Sequence, residues 1–340
     1  MVQFFLERDR IADFVSHLMN QKTVYAPHPR GQKSFAFDMV TDAANVILDY
    51  PRTMHSVKKF FMPPREELLN FNLTENNFKA TEVKPLDAIF FGVHSYDLAA
   101  VHRLDFNFSQ GQPERNYLTR RQGSLFVGVS YEPDKYHFSG SVGIDPFDTA
   151  GFDVFLTKLL DGYIVEANTP EGEGLLRGFD LPPHEAGKPA RGHFQQHIYL
   201  PQAKLTTVME HSYENEVWNE TAKRCVGCGT CNLVCPTCYC FNIEESVDIT
   251  ATEGTRDRHW DGCMLRNFSE VAGGEFFREE VADRQRHRIF RKFKYISEKT
   301  GEPWCVGCGR CTAYCTADIS IVNIVNRLVA DYEKATVSNL

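Results

Sequence analysis

Cysteine is missing from the first 224 of the 340 residues, although the chain contains 11 cysteines. Long apolar runs are missing too, and no stretch approaches the roughly 18 residues that a membrane-spanning helix needs. A net charge of −8 gives no electrostatic reason to expect nucleic acid or an anionic membrane as a partner. The N-terminus has no basic segment before its apolar residues, so it does not resemble a signal peptide. We therefore expect a cytoplasmic protein without a membrane span.

Motifs for nucleotide binding and for catalysis are also missing. No Gly-x-Gly-x-x-Gly fingerprint follows the strand predicted at 88–93, and there is no P-loop. No Ser-His-Asp or Cys-His catalytic group can be identified from the order of the residues. The sequence thus identifies no flavin or nicotinamide site and favours a protein that catalyses no bond chemistry itself. One alternative stays open, in which the N-terminal part binds a flavin or a small substrate and the chain is an enzyme.

The cysteine-free part has the pattern of an α/β domain. Residues 88–93 form a continuous apolar run, which is typical of a buried strand. Ser95 or Asp97 could cap the helix that follows this strand. Asp161-Gly162 separates two β-prone runs and therefore predicts a hairpin.

A change of composition marks the end of this part. Glycine and proline are frequent between residues 168 and 203, as is typical of loops. From about Glu210 the pattern is mostly helical, and apolar residues at helical spacing predict a last helix over 319–329. We predict two domains, an α/β domain over residues 1–205 and a mainly helical domain over residues 206–340.

The cysteines are concentrated between Cys225 and Cys315. Disulfides are rare in the reducing cytoplasm, so clustered thiols there indicate metal ligands. Two runs have the C-x2-C-x2-C-x3-C spacing of two-cluster ferredoxins. They read Cys225-Val-Gly-Cys228-Gly-Thr-Cys231-Asn-Leu-Val-Cys235 and Cys305-Val-Gly-Cys308-Gly-Arg-Cys311-Thr-Ala-Tyr-Cys315. Structural zinc prefers two separated pairs of ligands, so two runs of four cysteines favour two 4Fe–4S clusters over zinc.

The spacing also predicts which cysteines share a cluster. In two-cluster ferredoxins the first three cysteines of a run bind one cluster and the fourth binds the other. The predicted ligands of the first cluster are Cys225, Cys228, Cys231 and Cys315. The predicted ligands of the second cluster are Cys305, Cys308, Cys311 and Cys235. This exchange of ligands brings the two clusters close together, which suits electron transfer.

Three cysteines lie outside the two runs, namely Cys238, Cys240 and Cys263. One interpretation is that they are small apolar side chains buried beside the clusters. The other is that they bind a third cluster together with a ligand of another type. Cys238 and Cys240 follow Cys235 on the same loop, which favours the second interpretation, whereas their odd number favours the first.

A basic stretch interrupts the acidic chain between residues 284 and 294. A solvated helix face is the simplest interpretation of such a stretch. Two alternatives are a docking surface for an acidic partner and a set of cations that tunes the potential of a cluster. The basic residues are Arg284, Arg286, Arg288, Arg291, Lys292 and Lys294.

The cysteine-rich part resembles the iron–sulfur beta subunits of cytoplasmic, NAD(P)-linked nickel–iron sulfhydrogenases. It is also similar to the A subunit of anaerobic sulfite reductase. The resemblance covers about residues 218–328, and the N-terminal part matches more loosely. It is carried by Cys235-Pro-Thr-Cys-Tyr-Cys-Phe241, His259-Trp-Asp-Gly-Cys-Met264, Val271-Ala-Gly-Gly274, Phe277-Arg278 and the second cysteine run.

This resemblance implies an electron-transfer subunit between a flavin-bearing NAD(P)H subunit and a catalytic partner subunit. The complex would be of the hydrogenase, sulfite reductase or heterodisulfide-reductase type. The resemblance also implies an α-helical-ferredoxin-like C-terminal domain. Members of the family carry a cysteine where this chain has Tyr96, and cysteines in the loop that matches His137-Phe-Ser139. His137 could therefore replace a lost thiolate at a third cluster with Cys238, Cys240 and Cys263.

Overall fold

The structure is a computed structural model that describes residues 3–184, 189 and 191–337. The parts of the predicted domains at residues 1–2, 185–188, 190 and 338–340 lie outside the described residues. The strands are β1 (Gln3–Glu7), β2 (Thr23–Pro29), β3 (Phe35–Met39), β4 (Arg65–Asn72), β5 (Asn77–Ala80), β6 (Ala88–Val93), β7 (Leu125–Val129), β8 (Val154–Lys158), β9 (Gly162–Ala167), β10 (Phe241–Val247), β11 (Glu253–Trp260), β12 (Glu270–Val271) and β13 (Glu275–Phe276).

The main sheet of the N-terminal part has the strand order β1-β9-β8-β7-β6-β2-β3. Strands β2, β6, β7 and β8 are parallel neighbours, and the outer strands β1, β9 and β3 pair antiparallel. All six residues of β6 are buried, so the strand predicted at 88–93 is confirmed. Strands β8 and β9 pair on either side of Asp161, which confirms the predicted hairpin.

Helices cover both this sheet and the cysteine-rich part. They are α1 (Ile11–Met19), α2 (Lys58–Phe61), α3 (Ser95–Ser109), α4 (Arg115–Arg121), α5 (Pro170–Leu176), α6 (Gln202–Glu210), α7 (Val217–Ala222), α8 (Thr230–Leu233), α9 (Val281–Phe290), α10 (Ser297–Thr300), α11 (Arg310–Ala313) and α12 (Ile321–Val337). The predicted helix after β6 is confirmed and begins at Ser95. The last helix begins at Ile321, two residues later than predicted. None of the helices described is long and apolar enough to cross a membrane.

A second sheet connects the cysteine-rich part to the N-terminal part. Its strand order is β10-β11-β4-β5, and His259 of β11 pairs with Arg65 of β4. The prediction of a mainly helical C-terminal domain is incomplete, because it missed the hairpin of β10 and β11. Every residue of β10 is exposed. The strand therefore has no buried apolar face, although Phe241, Ile243 and Val247 alternate with polar residues. This alternation was the signal that could have revealed the strand.

One apolar core is shared by the two parts of the chain. Tyr96 and Phe138 of the N-terminal part pack in the same buried cluster as Val306 and Leu328. Two further clusters receive alternate residues of β6 and therefore lie on opposite faces of the main sheet. The shared core holds the second cysteine run against the N-terminal part. The domain boundary between residues 205 and 206 stays a prediction.

Candidate metal centre

The two cysteine runs have the same local structure. In each run a loop with two glycines in the left-handed conformation leads into a one-turn helix, α8 in the first run and α11 in the second. The two short helices lie side by side. Because the runs meet at these helices, a cysteine at the end of one run can approach the loop of the other.

Cysteines from both runs line one cavity. Its walls include Cys225, Cys228 and Cys231 of the first run, together with Cys311 and Cys315 of the second. The four predicted ligands of the first cluster are therefore brought together. Burial raises the pKa of the Cys231 thiol to about 12, so cluster binding there has to displace a proton.

The predicted ligands of the second cluster are also neighbours. Burial, followed by the charges of Cys311, Cys308 and Cys235, raises the pKa of Cys305 to about 12. Burial likewise raises the pKa of Cys308 to about 11. The four thiols therefore lie in one neighbourhood, as ligands of one cluster must. The assignment of individual cysteines to each cluster stays a prediction.

The surroundings of the sulfur atoms fit a 4Fe–4S cluster. Gln285 Nε2 donates to Cys225 Sγ at 3.2 Å, and the Ile319 N–H donates to Cys315 Sγ at 3.4 Å. Hydrogen bonds of this kind tune an iron–sulfur cluster. Among the described residues, no three His, Cys, Asp or Glu side chains are placed to hold a single metal ion. A cluster is larger than an ion, and its four ligands bind four different iron atoms, so they stand further apart.

Half of the basic stretch is buried, and two of its residues, Arg288 and Lys292, lie beside these cysteines. Arg284, Arg288 and Lys292 are spaced four residues apart and are buried. Although burial lowers the pKa of Arg288, the nearby thiolates of Cys231 and Cys311 raise it above its usual range. The interpretation of the stretch as a solvated helix face is therefore wrong for these three residues. The spacing of four along a helix is the signal that could have identified this face.

A lysine of the N-terminal part also reaches the cysteine-rich loops. Lys58 is buried, and its ammonium group donates to the backbone oxygens of Cys235 at 3.2 Å and Cys238 at 3.0 Å. The same group lies 3.9 Å from the centre of the Trp260 ring. Sequence analysis missed this residue, because Lys58 lies far from the cysteines in the chain and its surrounding residues form no motif.

The second run also carries its own cation, Arg310. This guanidinium is fully buried and forms two hydrogen bonds of 2.7 Å with the carboxylate of Asp97 at the start of α3. Its Nε donates to the backbone oxygen of Thr53 at 2.8 Å. Arg310 therefore anchors the loop of the second run to two segments of the N-terminal part. The predicted capping of α3 by Ser95 or Asp97 is wrong, because the helix has no side-chain cap and the Asp97 carboxylate binds Arg310 instead.

The loop that contains His137 covers the second run. The Phe138 N–H donates to the backbone oxygen of Gly307 at 2.9 Å. A Cβ atom added at Gly307 would lie 2.5 Å from the backbone nitrogen of Ser139, which is too close for a side chain. Glycine is therefore required at this position by its neighbours as well as by its φ of 66°.

The three additional cysteines lie near one another. A hydrogen bond with the Cys240 thiol, helped by the charges of Lys58 and Lys292, holds the pKa of Cys238 well below its usual range. Cys263 also interacts with Cys238 and accepts a hydrogen bond from Asn232 Nδ2 at 3.5 Å. The structure thus groups these thiols, and a third cluster there stays a prediction.

His137 lies in a different environment. Its Nδ1 accepts a hydrogen bond from the Asp134 N–H at 3.0 Å, and its ring stacks on Tyr96 at a centroid distance of 5.3 Å. Among the described residues that contact His137, none is one of the three additional cysteines. The structure does not bring His137 to them. It instead places His137 beside Tyr96.

Comparison with known proteins agrees with the geometry of the cysteine runs. A family model described as a 4Fe-4S dicluster domain matches residues 224–319, which include both runs. Sulfhydrogenase 2 subunit beta of Pyrococcus furiosus is 32% identical over 342 residues, a match that covers 95% of this chain and 97% of the relative. No solved structure matches the chain significantly. The chain therefore binds two 4Fe–4S clusters and transfers electrons. It belongs to the family of iron–sulfur beta subunits of sulfhydrogenases.

Proposed function

We propose that this chain relays electrons between a flavin-bearing NAD(P)H subunit and a catalytic subunit in a cytoplasmic, anaerobic complex of the hydrogenase type. The main observation in support is the cavity that Cys225, Cys228 and Cys231 share with Cys315. A cluster held by these four thiolates takes ligands from both runs, and its neighbour is held by Cys235, Cys305, Cys308 and Cys311. Bound clusters of this type supply one-electron redox chemistry.

The protein's own residues would position the two clusters and stabilise added negative charge. Arg288 and Lys292 are buried beside the thiols, and Arg310 fixes the loop of the second run. None of these three side chains acts as an acid or a base in the electron transfer. They favour the reduced state of a cluster by charge alone. The name of the relative, a sulfhydrogenase subunit, supports a hydrogenase complex as the place of this relay.

The test begins with iron and acid-labile sulfide per chain after anaerobic purification. We expect about eight of each, with EPR of the reduced protein giving the magnetic coupling of two adjacent clusters. Addition of NADPH should reduce these clusters in the purified complex but not in the chain alone. Zinc in place of iron would overturn the proposal, and so would reduction of the isolated chain by NADPH.

A second candidate function is that of an enzyme with its own flavin or substrate site. A cavity of about 580 Å³ lies where the parallel strands β7 and β8 end. Ligands of open α/β sheets bind at this edge. Tyr131, Phe147 and Lys158 line the cavity. Release of a yellow flavin on denaturation of the purified chain would favour this function, and a colourless supernatant after removal of the clusters would favour the relay.

A further inference from the structure

The two cysteine runs begin with the same five residues, Cys-Val-Gly-Cys-Gly, but their loops differ in exposure. Val306 is 2% exposed and Cys308 is 7% exposed. The equivalent residues of the first run are Val226, which is 71% exposed, and Cys228, which is also exposed. Since the local sequence is the same, the difference comes from what packs on each loop.

The chain itself covers the loop of the second run. Phe138 and Ser139 contact Gly307, and a Cβ added at Gly309 would lie 2.7 Å from the backbone carbon of Tyr136. In the first loop the Leu265 side chain covers Gly229, the equivalent of Gly309, with its Cδ2 2.6 Å from an added Cβ. Within the described part of the chain, however, no backbone segment packs on the glycine that matches Gly307. At Gly227, the matching position, the only atom close to an added Cβ is Arg284 Nη2, at 3.6 Å.

The uncovered loop carries a predicted ligand of the first cluster. Electron tunnelling falls steeply with distance, so a redox partner has to approach a cluster closely. The Cys228 side chain faces the surface, whereas Cys308 of the second run is enclosed. The first cluster is therefore the one that a partner protein can reach without rearrangement of this chain.

An exposed aromatic side chain stands on the segment beside this loop. Arg284 Nη1 donates to the backbone oxygen of Arg278 at 3.2 Å, and Nη2 of the same guanidinium approaches Gly227. Phe277, next to Arg278, is 74% exposed. Val226 offers an apolar contact on the loop itself, and Phe277 lies on the segment that Arg284 joins to this loop. Exposed aromatic groups are frequent anchors of protein interfaces.

We infer that the loop Val226–Cys228 is the electron-exchange surface of this chain and that it docks a partner subunit of the relay through that subunit's own one-electron carrier. This inference rests on the proposed relay function and adds the place where the relay meets one partner. In the assembled complex the partner covers the first loop, as residues 136–139 cover the second.

The first test measures where small redox mediators react with the isolated, cluster-loaded chain. In Val226→Glu we expect electron transfer to the methyl viologen dication to become roughly threefold faster and transfer to the anthraquinone disulfonate dianion roughly threefold slower. Val226→Lys should show the opposite pattern. Ile249, which is fully exposed on the turn between β10 and β11, provides the matched control in Ile249→Glu. Unchanged rates in both Val226 variants, or equal changes in Ile249→Glu, would overturn the inference.

The second test compares hydrogen exchange in the isolated chain and in the complex purified with its partner subunits. We expect amides 225–229 to exchange at least tenfold more slowly in the complex, while amides 305–309 exchange slowly in both samples. Equal exchange of 225–229 in the two samples would contradict the docking surface. Iron analysis of the same samples distinguishes failure of the docking surface from failure of the relay function. About eight irons per chain with unchanged hydrogen exchange would refute only the docking surface. Zinc in place of iron would refute the relay function itself.

Discussion

Arg310 and Asp97 form a buried ion pair between the loop of the second cysteine run and the first turn of α3. Each nitrogen–oxygen distance is 2.7 Å, and neither side chain is exposed to solvent. This bidentate geometry is strong and directional. The pair therefore fixes the position of the second cluster's loop relative to the main sheet.

Removal of one partner of this pair should destabilise the protein strongly. In Asp97→Ala the Arg310 guanidinium stays buried without its counter-charge, at a cost of about 3–5 kcal/mol. We expect the melting temperature of the cluster-loaded chain to fall by roughly 4–7 °C in anaerobic calorimetry. The control is Arg191→Ala, which breaks an exposed pair with Asp145 and should cost less than about 1 kcal/mol. Equal effects of the two variants would contradict this account.

The equivalent glycines of the two loops should differ in their tolerance of alanine. Both Gly227 and Gly307 have positive φ, so a side chain at either costs about 1–2 kcal/mol. Gly307→Ala adds a collision with the Ser139 backbone, whereas Gly227→Ala meets only the end of Arg284. We expect Gly307→Ala to lose about four irons per chain and Gly227→Ala to keep about eight. Iron loss in both variants alike would argue against a covering role of residues 136–139.

Serine variants of the cysteines test which residues share a cluster. Cys315→Ser should lose the same EPR signal as Cys225→Ser, because both thiols line one cavity. Cys235→Ser should instead match Cys305→Ser, since the exchange of fourth ligands assigns both to the second cluster. Each variant should retain about four irons per chain. If Cys315→Ser matched Cys305→Ser, each run would hold its own cluster and the assignment would be wrong.

The buried cation Arg288 should raise the reduction potentials of the clusters. Reduction adds negative charge, which the guanidinium stabilises, so Arg288→Met should lower a midpoint potential by on the order of 50 mV. Redox titration followed by EPR measures this shift. Arg286→Met is the control on the same helix, because Arg286 pairs with Asp283 at 2.6 Å and is not among the groups that interact with the thiols. A shift of the same size in both variants would indicate a general effect of charge.

His137 should be dispensable for iron binding. Both of its ring nitrogens have protein partners, because the Asp134 N–H donates to Nδ1 at 3.0 Å and Arg52 Nη2 lies 3.4 Å from Nε2. We therefore expect His137→Ala to keep the iron content and the EPR spectrum of the unchanged chain. Cys308→Ser, on the neighbouring loop, should lose about four irons in the same assay. Loss of iron in His137→Ala with the fold intact would contradict this expectation and support His137 as a cluster ligand.

Much of the cluster chemistry could be predicted because it depends on local spacing. The cysteine runs specify ligand type and loop shape within eleven residues, and the buried strand Ala88–Val93 is apolar throughout. The hairpin of β10 and β11 was missed, although Phe241, Ile243 and Val247 alternate with polar residues. It is held by pairing with β4, which lies far away in sequence, and β10 has no buried face of its own.

The charged groups around the clusters escaped prediction for a related reason. Lys58 and Asp97 belong to the N-terminal part and reach the cysteine loops only through the tertiary fold. A lysine or an aspartate in an ordinary sequence context predicts a solvated side chain. Arg288 was different, because a set of cations beside a cluster was one of the interpretations left open for the basic stretch. Its four-residue spacing from Arg284 and Lys292, all three of them buried, was the signal that favours this interpretation.

The cavity shared by Cys225 and Cys315 has a consequence for the biogenesis of the protein. Cys315 is the last cysteine of the chain, and it must leave the ribosome before the walls of this cavity are complete. A growing chain that has exposed only the first run offers an incoming cluster no more than part of its final coordination. Cluster insertion is therefore expected to follow synthesis, with the thiols kept reduced by the cell until the C-terminal segment has folded back.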